Sequence, residues 1–241
     1  VNSTETGHVS VVIPTYDEAE NIVELLKQIL ALELSLEVIV VDDNSPDGTA
    51  AKAESLGDKR VVVLNRVGMR GYGSAVVTGF RHALEGDAQL IVGMDSDFSH
   101  DPKLIPAMVH AAEGADVVVG SRYCPDGGTV NWPLHRMAIS QTANRYVRSV
   151  LGLPCKDSTS GFRCYRRTVL ESMDLGAIKS EGYSFLVEIL YRAWLKGAKI
   201  REIPILFMDR LKGKSKISTR EIYRSLFMVL WLRWALGGHK G

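Results

Sequence analysis

The chain has 241 residues, with 29 Lys and Arg against 28 Asp and Glu and a formal charge of +1. At about 150 residues per domain this is one to two domains. A composition of 46% hydrophobic and 24% charged residues is that of a globular chain with a full core, which excludes a disordered tail, a collagen-like chain and a small disulfide scaffold. Cys124, Cys155 and Cys164 form no C-x-x-C pair, so they are read as free thiols in a reducing compartment rather than as zinc ligands or a disulfide framework.

The opening Val1-Asn-Ser-Thr-Glu-Thr-Gly-His8 has neither a basic nor an apolar stretch, so no signal peptide is expected. Val9–Ile13 is a continuous apolar run, as a strand buried on both faces should be. Ile22, Leu25, Leu26, Ile29 and Leu30 follow with helical spacing, and Asp17, Glu18 and Glu20 suit the positive end of that helix. Val38–Val41 predicts a second strand, followed by the turn Asn44-Ser-Pro-Asp-Gly48 and a short helix. Val61–Leu64, Leu90–Met94 and Val117–Val119 repeat the strand pattern, with helices near 74–84 and 102–112 between them. Such alternation implies an α/β fold with a mostly parallel central sheet and helices on both faces. The later chain is less regular: a helix near 135–151, a turn at Ser160-Gly161, a helix near 183–196, a strand near 199–207 and an amphipathic helix near 217–236. Two units are expected, a catalytic domain over 1–216 and a C-terminal appendage over 217–241.

The charge is uneven. Residues 192–241 carry twelve Lys and Arg against three Asp and Glu, leaving the preceding 191 residues at −8. A basic final fifth suits an anionic partner such as phosphates, anionic lipid or nucleic acid. The longest apolar run, Leu226–Leu232, is far short of the roughly 18 residues that span a bilayer.

Ligands of parallel sheets lie beyond the carboxyl ends of the strands. The residues there are Pro14-Thr-Tyr16-Asp17-Glu18, Asp42-Asp43, Asp95-Ser96-Asp97 and Gly120-Ser121-Arg122. Asp95 and Asp97, two residues apart at a strand end, can share one divalent cation and its diphosphate, since Mg²⁺ prefers few protein oxygens plus substrate phosphates; a solvated acidic turn is the plainer alternative. Asp43 can accept hydrogen bonds from a base or ribose, while Asn44, Ser45 and Asp47 are read as turn formers and caps. Gly68-Met-Arg-Gly71-Tyr-Gly73 does not match a dinucleotide fingerprint, so its glycines are assigned to a turn or to close backbone approach, and no nicotinamide cofactor is expected. Arg210-Leu-Lys212-Gly-Lys214-Ser-Lys216 is either a solvated loop or a set of cations for a departing diphosphate.

In this order, together with Ser160-Gly-Phe-Arg163, Arg136 and the Arg210…Lys216 pair, these motifs resemble the inverting GT-A glycosyltransferases of family two, and among them the polyprenol (dolichyl) phosphate mannose synthases. The resemblance spans about Val9 to Lys216. It implies a GT-A fold and transfer of mannose from GDP-mannose to a polyprenyl or dolichyl phosphate, with Mg²⁺ or Mn²⁺. Pro14, Tyr16, Glu18, Val41 and Asp43 would hold the nucleoside. Asp95, Ser96 and Asp97 would hold the diphosphate and metal, and Arg122, Arg210 and Lys216 would complete the donor site. Arg136 and Ser140 would meet the acceptor phosphate, and Asp97, Arg136, Arg210 and Lys216 carry the catalytic role. Ser99 stands where some members have a metal-binding Gln and is counted with Asp95 and Asp97 as a metal ligand.

A phosphate acceptor is largely ionised at neutral pH, its second pKa being about 6, so no strong general base is required. The alternatives are transfer of glucose from UDP-glucose to the same lipid phosphate, or a non-catalytic nucleotide-sugar-binding subunit. Nucleic acid is not expected as a partner. The final helix, with Phe227, Trp231 and Trp234 among Arg220, Arg224 and Arg233, is expected to dock on a membrane surface, directly or through a small anchoring subunit, which puts the protein on the cytoplasmic face.

Overall fold

The computed structural model describes residues 7–178, 180–209 and 219–237. Its centre is a seven-stranded sheet in the order β3-β2-β1-β4-β7-β5-β8. The strands are β1 (Val9–Thr15), β2 (Leu36–Asp42), β3 (Val61–Asn65), β4 (Leu90–Gly93), β5 (Val117–Ser121), β7 (Arg163–Arg166) and β8 (Ile200–Pro204). The two short strands β6 (Gly128–Val130) and β9 (Leu206–Met208) pair in parallel beside it. All neighbours in the main sheet are parallel except β7, which runs antiparallel to both β4 and β5.

Alternation along each strand divides the core in two. Val12, Ile39, Val41, Ile91, Val117 and Val119 point to one face, while Val11, Ile13, Val38, Val40, Val92 and Val118 point to the other. The first face is covered by α3 (Tyr72–Glu85), α5 (Leu134–Leu151), α6 (Arg167–Glu171), α7 (Gly182–Leu195) and α8 (Thr219–Gly237). The second is covered by α1 (Ile22–Leu30), α2 (Thr49–Glu54) and α4 (Ile105–Ala111). Helices on both faces are what two-sided apolar strands demand. Because these layers are fully dry, Ile39→Val, which removes one methylene from a side chain with 0% exposure, is expected to cost about 0.5–1.5 kcal/mol in a urea titration.

The expected strands and helices are all present, within a few residues of their predicted bounds. The structure adds β6 and the antiparallel β7. It also divides the strand expected near 199–207 into β8 and β9, each pairing with a different sheet. The last helix is tied into the body: Val229 and Leu232 are buried in the first core, and the Tyr146 hydroxyl donates to the Leu226 carbonyl at 3.1 Å. Phe227 and Trp234, by contrast, are 71% and 82% exposed. Among the described residues no helix is long and apolar enough to cross a membrane. Cys155 and Cys164 are buried free thiols and Cys124 is a half-buried one.

Candidate functional site

The carboxyl ends of β1, β2, β3, β4 and β5 share one edge of the sheet because these strands point the same way. Pro14 lies opposite Val41 and Thr15 opposite Asp42, so two of the expected nucleoside residues are direct neighbours. Asp42 is a structural acid. It accepts from the Thr15 hydroxyl at 2.8 Å and from the backbone N–H and hydroxyl of Ser45 at 2.8 and 2.6 Å. Asp47 accepts from the Ala19 and Thr49 N–H groups and the Thr49 hydroxyl, which accords with its reading as a turn former. At the start of the first helix the Glu18 carboxylate accepts from the Asn21 side-chain amide at 2.8 Å.

Asp43 is buried and engaged. Its Oδ1 accepts from Nε and Nη2 of Arg66, and its Oδ2 accepts from the Gly71 N–H at 2.9 Å. Gly71 is glycine for two reasons: its φ is +149°, and a Cβ would stand 2.8 Å from the Glu181 carboxylate. The segment between Arg66 and Gly71 is thus pinned at both ends by one carboxylate. From it Arg70 lays its guanidinium 3.8 Å from the centre of the Tyr16 ring, a cation–π contact at the mouth of the edge.

Asp95, Ser96 and Asp97 follow β4. The Tyr72 hydroxyl, at the start of α3, donates to Asp95 Oδ1 at 3.2 Å. Burial and the neighbouring carboxylate push the Tyr72 phenol well above its ordinary pKa, so it keeps its proton. The Asp95 N–H donates to Nδ1 of His100 at 3.2 Å. His100 is buried between Phe162, stacked at 5.1 Å, and the edge of Phe207 at 5.4 Å, and this burial lowers its pKa and favours the neutral ring that can accept. Asp97 Oδ1 accepts from the Ser99 N–H at 3.0 Å. The Ser99 hydroxyl is buried with no hydrogen-bond partner among the described residues.

The fit to a cation follows from this donor set. Asp95 and Asp97 present hard carboxylate oxygens, suited to Mg²⁺ or Mn²⁺ rather than to thiophilic metals. Gly161 leaves space beside them, since a Cβ there would lie 2.7 Å from the Tyr72 hydroxyl and 3.2 Å from Asp95 Oδ1. Among the described residues no group of three or more His, Cys, Asp or Glu could hold a metal ion, so the remaining ligands would come from a bound diphosphate. The residues fit a cation that arrives with its substrate.

Arg122, expected to complete the donor site, has a structural partner of its own. It is 6% exposed and locked to Asp157 by Nε at 2.7 Å and Nη2 at 2.6 Å, with its own N–H on the same carboxylate at 3.0 Å. This buried pair fixes the loop after β5. The centre of the Trp132 ring lies 4.1 Å from the Arg136 guanidinium and 5.3 Å from that of Arg122. Arg136 donates to Asp209 at 2.7 Å, and the Ser140 hydroxyl accepts from Tyr123 at 2.7 Å. Arg136, Ser140, Trp132 and Tyr123 therefore form a single corner. Arg210 and Lys216 lie outside the described residues.

Arg66, Tyr72, His100, Trp132 and Asp157 do not stand out among the strand ends of the sequence. Arg66 carried a signal, since it follows the end of β3 just as Asp43 follows β2; the others are joined to their partners only by the tertiary fold.

A parallel sheet with an acidic carboxyl edge and an Asp-x-Asp at the end of its middle strand is the layout of a GT-A glycosyltransferase. The sequence pattern of glycosyl transferase family 2 matches residues 10–174. The chain is 40% identical over 237 residues to the polyprenol monophosphomannose synthase of Mycolicibacterium smegmatis, covering 97% of this chain and 89% of that one. It is also 40% identical over 227 residues to the undecaprenyl-phosphate mannosyltransferase of Micrococcus luteus, covering 93% of each. Among solved structures, glucosyl-3-phosphoglycerate synthase of Mycobacterium tuberculosis, with Mn²⁺, UDP and glucosyl-3-phosphoglycerate, matches with a TM-score of 0.67 at 20% identity, over 97% of this chain and 81% of that one. The chain belongs to glycosyl transferase family 2 and has its GT-A fold.

The solved structures correct the expected partners. Three of the matched structures of the Mycobacterium tuberculosis enzyme hold UDP or UDP-glucose with phosphoglyceric acid, glycerol 3-phosphate or glucosyl-3-phosphoglycerate, where GDP-mannose and a polyprenyl or dolichyl phosphate were expected. The physical reason is that the acidic strand ends and the Asp-x-Asp were assigned to a ribose, a diphosphate and its cation, features that GDP- and UDP-sugars have in common, so these motifs do not select base, sugar or acceptor.

Proposed function

We propose that the chain transfers a mannosyl group, with inversion and with a divalent cation, from a nucleoside-diphosphate sugar to a phosphate monoester. The observation that carries this is about 40% identity, over more than nine-tenths of the chain, to proteins named for mannosyl transfer to a phosphate. When bound, the cation would neutralise charge on the leaving diphosphate. Asp95 and Asp97 would hold it, with Ser96 and Ser99 beside them, and Pro14, Tyr16, Glu18, Val41 and Asp43 would line the nucleoside. Arg210 and Lys216 would supply further positive charge at the diphosphate, while Arg122 would act through the loop it fixes.

Arg136 and Ser140 would orient the acceptor. With a phosphate dianion as nucleophile these residues have only to align two anions and screen their repulsion, so orientation and charge stabilisation supply the rate. A hydroxyl acceptor would also require a group to take its proton, and the residues gathered at the Arg136 corner are cations, hydroxyls and an indole, together with an Asp209 engaged by Arg136.

The test is a matrix of donors and acceptors. Mannose and glucose, each carried by GDP and by UDP, are offered with a short prenyl phosphate, with 3-phosphoglycerate and with water alone. The expected product is a mannosyl phosphate diester, recognised by its lability to mild acid. Transfer only of glucose, and only to the hydroxyl of 3-phosphoglycerate, would overturn the reading.

A peripheral, cytoplasmic location at a membrane is proposed with it. Its support is the exposure of Phe227, Leu230, Trp231 and Trp234 along α8, since aromatic residues suit the headgroup interface. Flotation with anionic liposomes is expected to carry the intact chain, and to lose it when residues 220–241 are removed; flotation unchanged by that deletion would count against the location.

A further inference from the structure

Asp95 is mounted more elaborately than a strand-end carboxylate requires. Its main chain is held by the His100 ring through the N–H contact at 3.2 Å, and its side chain by the Tyr72 hydroxyl at 3.2 Å. Tyr72 belongs to α3 rather than to the Asp-x-Asp segment, and its ring is set edge-on to Phe185 of α7 at 6.2 Å. The junction is also matched by an absence of atoms. Among the described residues, the three heavy atoms nearest a Cβ built on Gly161 are the Tyr72 hydroxyl at 2.7 Å and the two Asp95 carboxylate oxygens at 3.2 and 3.5 Å, so a methyl there would enter the place where the two groups meet. Three separate segments, at 72, 95 and 161, thus converge on one hydrogen bond.

We propose that Tyr72 is a positioning residue for the divalent cation: by committing Asp95 Oδ1 to its phenolic proton it makes Asp95 a one-oxygen ligand, and so favours Mg²⁺ and Mn²⁺ over Ca²⁺. The proposal rests on the reading of Asp95 and Asp97 as cation ligands. Its chemistry is that of coordination number. Ca²⁺ takes six to eight oxygens and readily accepts both atoms of one carboxylate, whereas Mg²⁺ demands a near-octahedral set with single oxygens. A donor placed on one carboxylate oxygen penalises the two-oxygen mode and fixes the direction of the other atom. Partners of this kind behind a ligand commonly matter by about 10–100-fold in metal affinity. Gly161 serves the same end by leaving the junction open.

The experiment measures binding rather than turnover. Mn²⁺ is titrated into the full chain by electron paramagnetic resonance with saturating UDP, then with saturating GDP, and Ca²⁺ is added as competitor. Tyr72→Phe keeps the ring and its contact with Phe185 and removes only the donor. It is expected to weaken Mn²⁺ binding about tenfold and to lower the Mn²⁺-over-Ca²⁺ preference by a similar factor. Gly161→Ala should do the same in the wild-type background and add little in the Tyr72→Phe background, because both act on one junction. Unchanged Mn²⁺ affinity and unchanged preference in a folded Tyr72→Phe chain would overturn the assignment while leaving the cation site standing. Mn²⁺ binding that survives Asp95→Asn with Asp97→Asn would instead overturn the cation site, and the role of Tyr72 with it.

Discussion

Asp97→Ala is expected to abolish sugar transfer, a loss of about 10³-fold or more, while the chain remains folded. Asp97 lies beyond the end of β4, and its side chain accepts a hydrogen bond from the Ser99 N–H at 3.0 Å. Losing such a bond costs about 1 kcal/mol, well within the 5–15 kcal/mol typical of a domain. The large effect falls on charge: without this carboxylate a cation held as proposed would lose one of its two anionic ligands, and the diphosphate would lose the cation that screens it. Transfer assays beside a thermal melt separate the two effects. Wild-type activity of the variant in excess EDTA would refute the assignment.

Asp157→Ala should have the opposite profile, a heavy loss of stability with no ligand involved. Asp157 is 0% exposed and its partner Arg122 is 6% exposed, so removing the carboxylate strands a guanidinium inside the protein. Breaking buried pairs in this way costs about 3–5 kcal/mol, read as a lower urea midpoint. The same pair sets an acid limit. Burial by itself pushes the Asp157 carboxyl up, but Arg122, through its charge and its side-chain and backbone hydrogen bonds, outweighs this and holds the carboxyl below its ordinary 3.8. The depressed value means that the stabilisation is fully present above about pH 4 and is lost as the pH falls through the folded-state pKa, because the unfolded chain then binds the extra proton. Asp157→Asn should therefore show a shallower loss of stability on acidification below pH 4 than the wild type.

The parts of the fold legible in the sequence were those whose physics is local. Val9–Ile13 and Val38–Val41 read as strands because a parallel strand covered on both faces has no polar side to show. β7 was hidden for the converse reason. Its sequence is Arg-Cys-Tyr-Arg, and Arg163, fully buried, donates to the Leu186 and Ser158 carbonyls at 2.6 and 2.7 Å, partners that exist only once the chain has folded. The Ser160-Gly-Phe-Arg163 motif was visible, yet nothing in it announced an antiparallel strand in the centre of the sheet. Within the site, the acids at 42–43 and 95–97 stood out because strand ends expose whatever follows them. Their uses did not. Asp43 looked open to a nucleoside, and the structure shows it gripping Arg66 and Gly71, 23 and 28 residues away. Arg122 was read as a donor-site cation, and its part in a buried pair spanning 35 residues had no signal in the sequence.

The place of β7 governs how the chain can reach this fold. β4 and β5 are adjacent in sequence but not in space; both wait for residues 163–166 to slide between them. Until that segment is available, each presents an unpaired edge of hydrophobic residues, the situation in which strands recruit other chains. During synthesis the first 150 residues can therefore collapse but cannot close the sheet, and every link made by β7 joins residues 44–76 positions apart, the long-range kind of contact that slows folding. Fragments that stop short of β7 should gather into aggregates rather than into a smaller domain, and the vulnerable interval in the life of this protein is the one between the emergence of β5 and the arrival of β7.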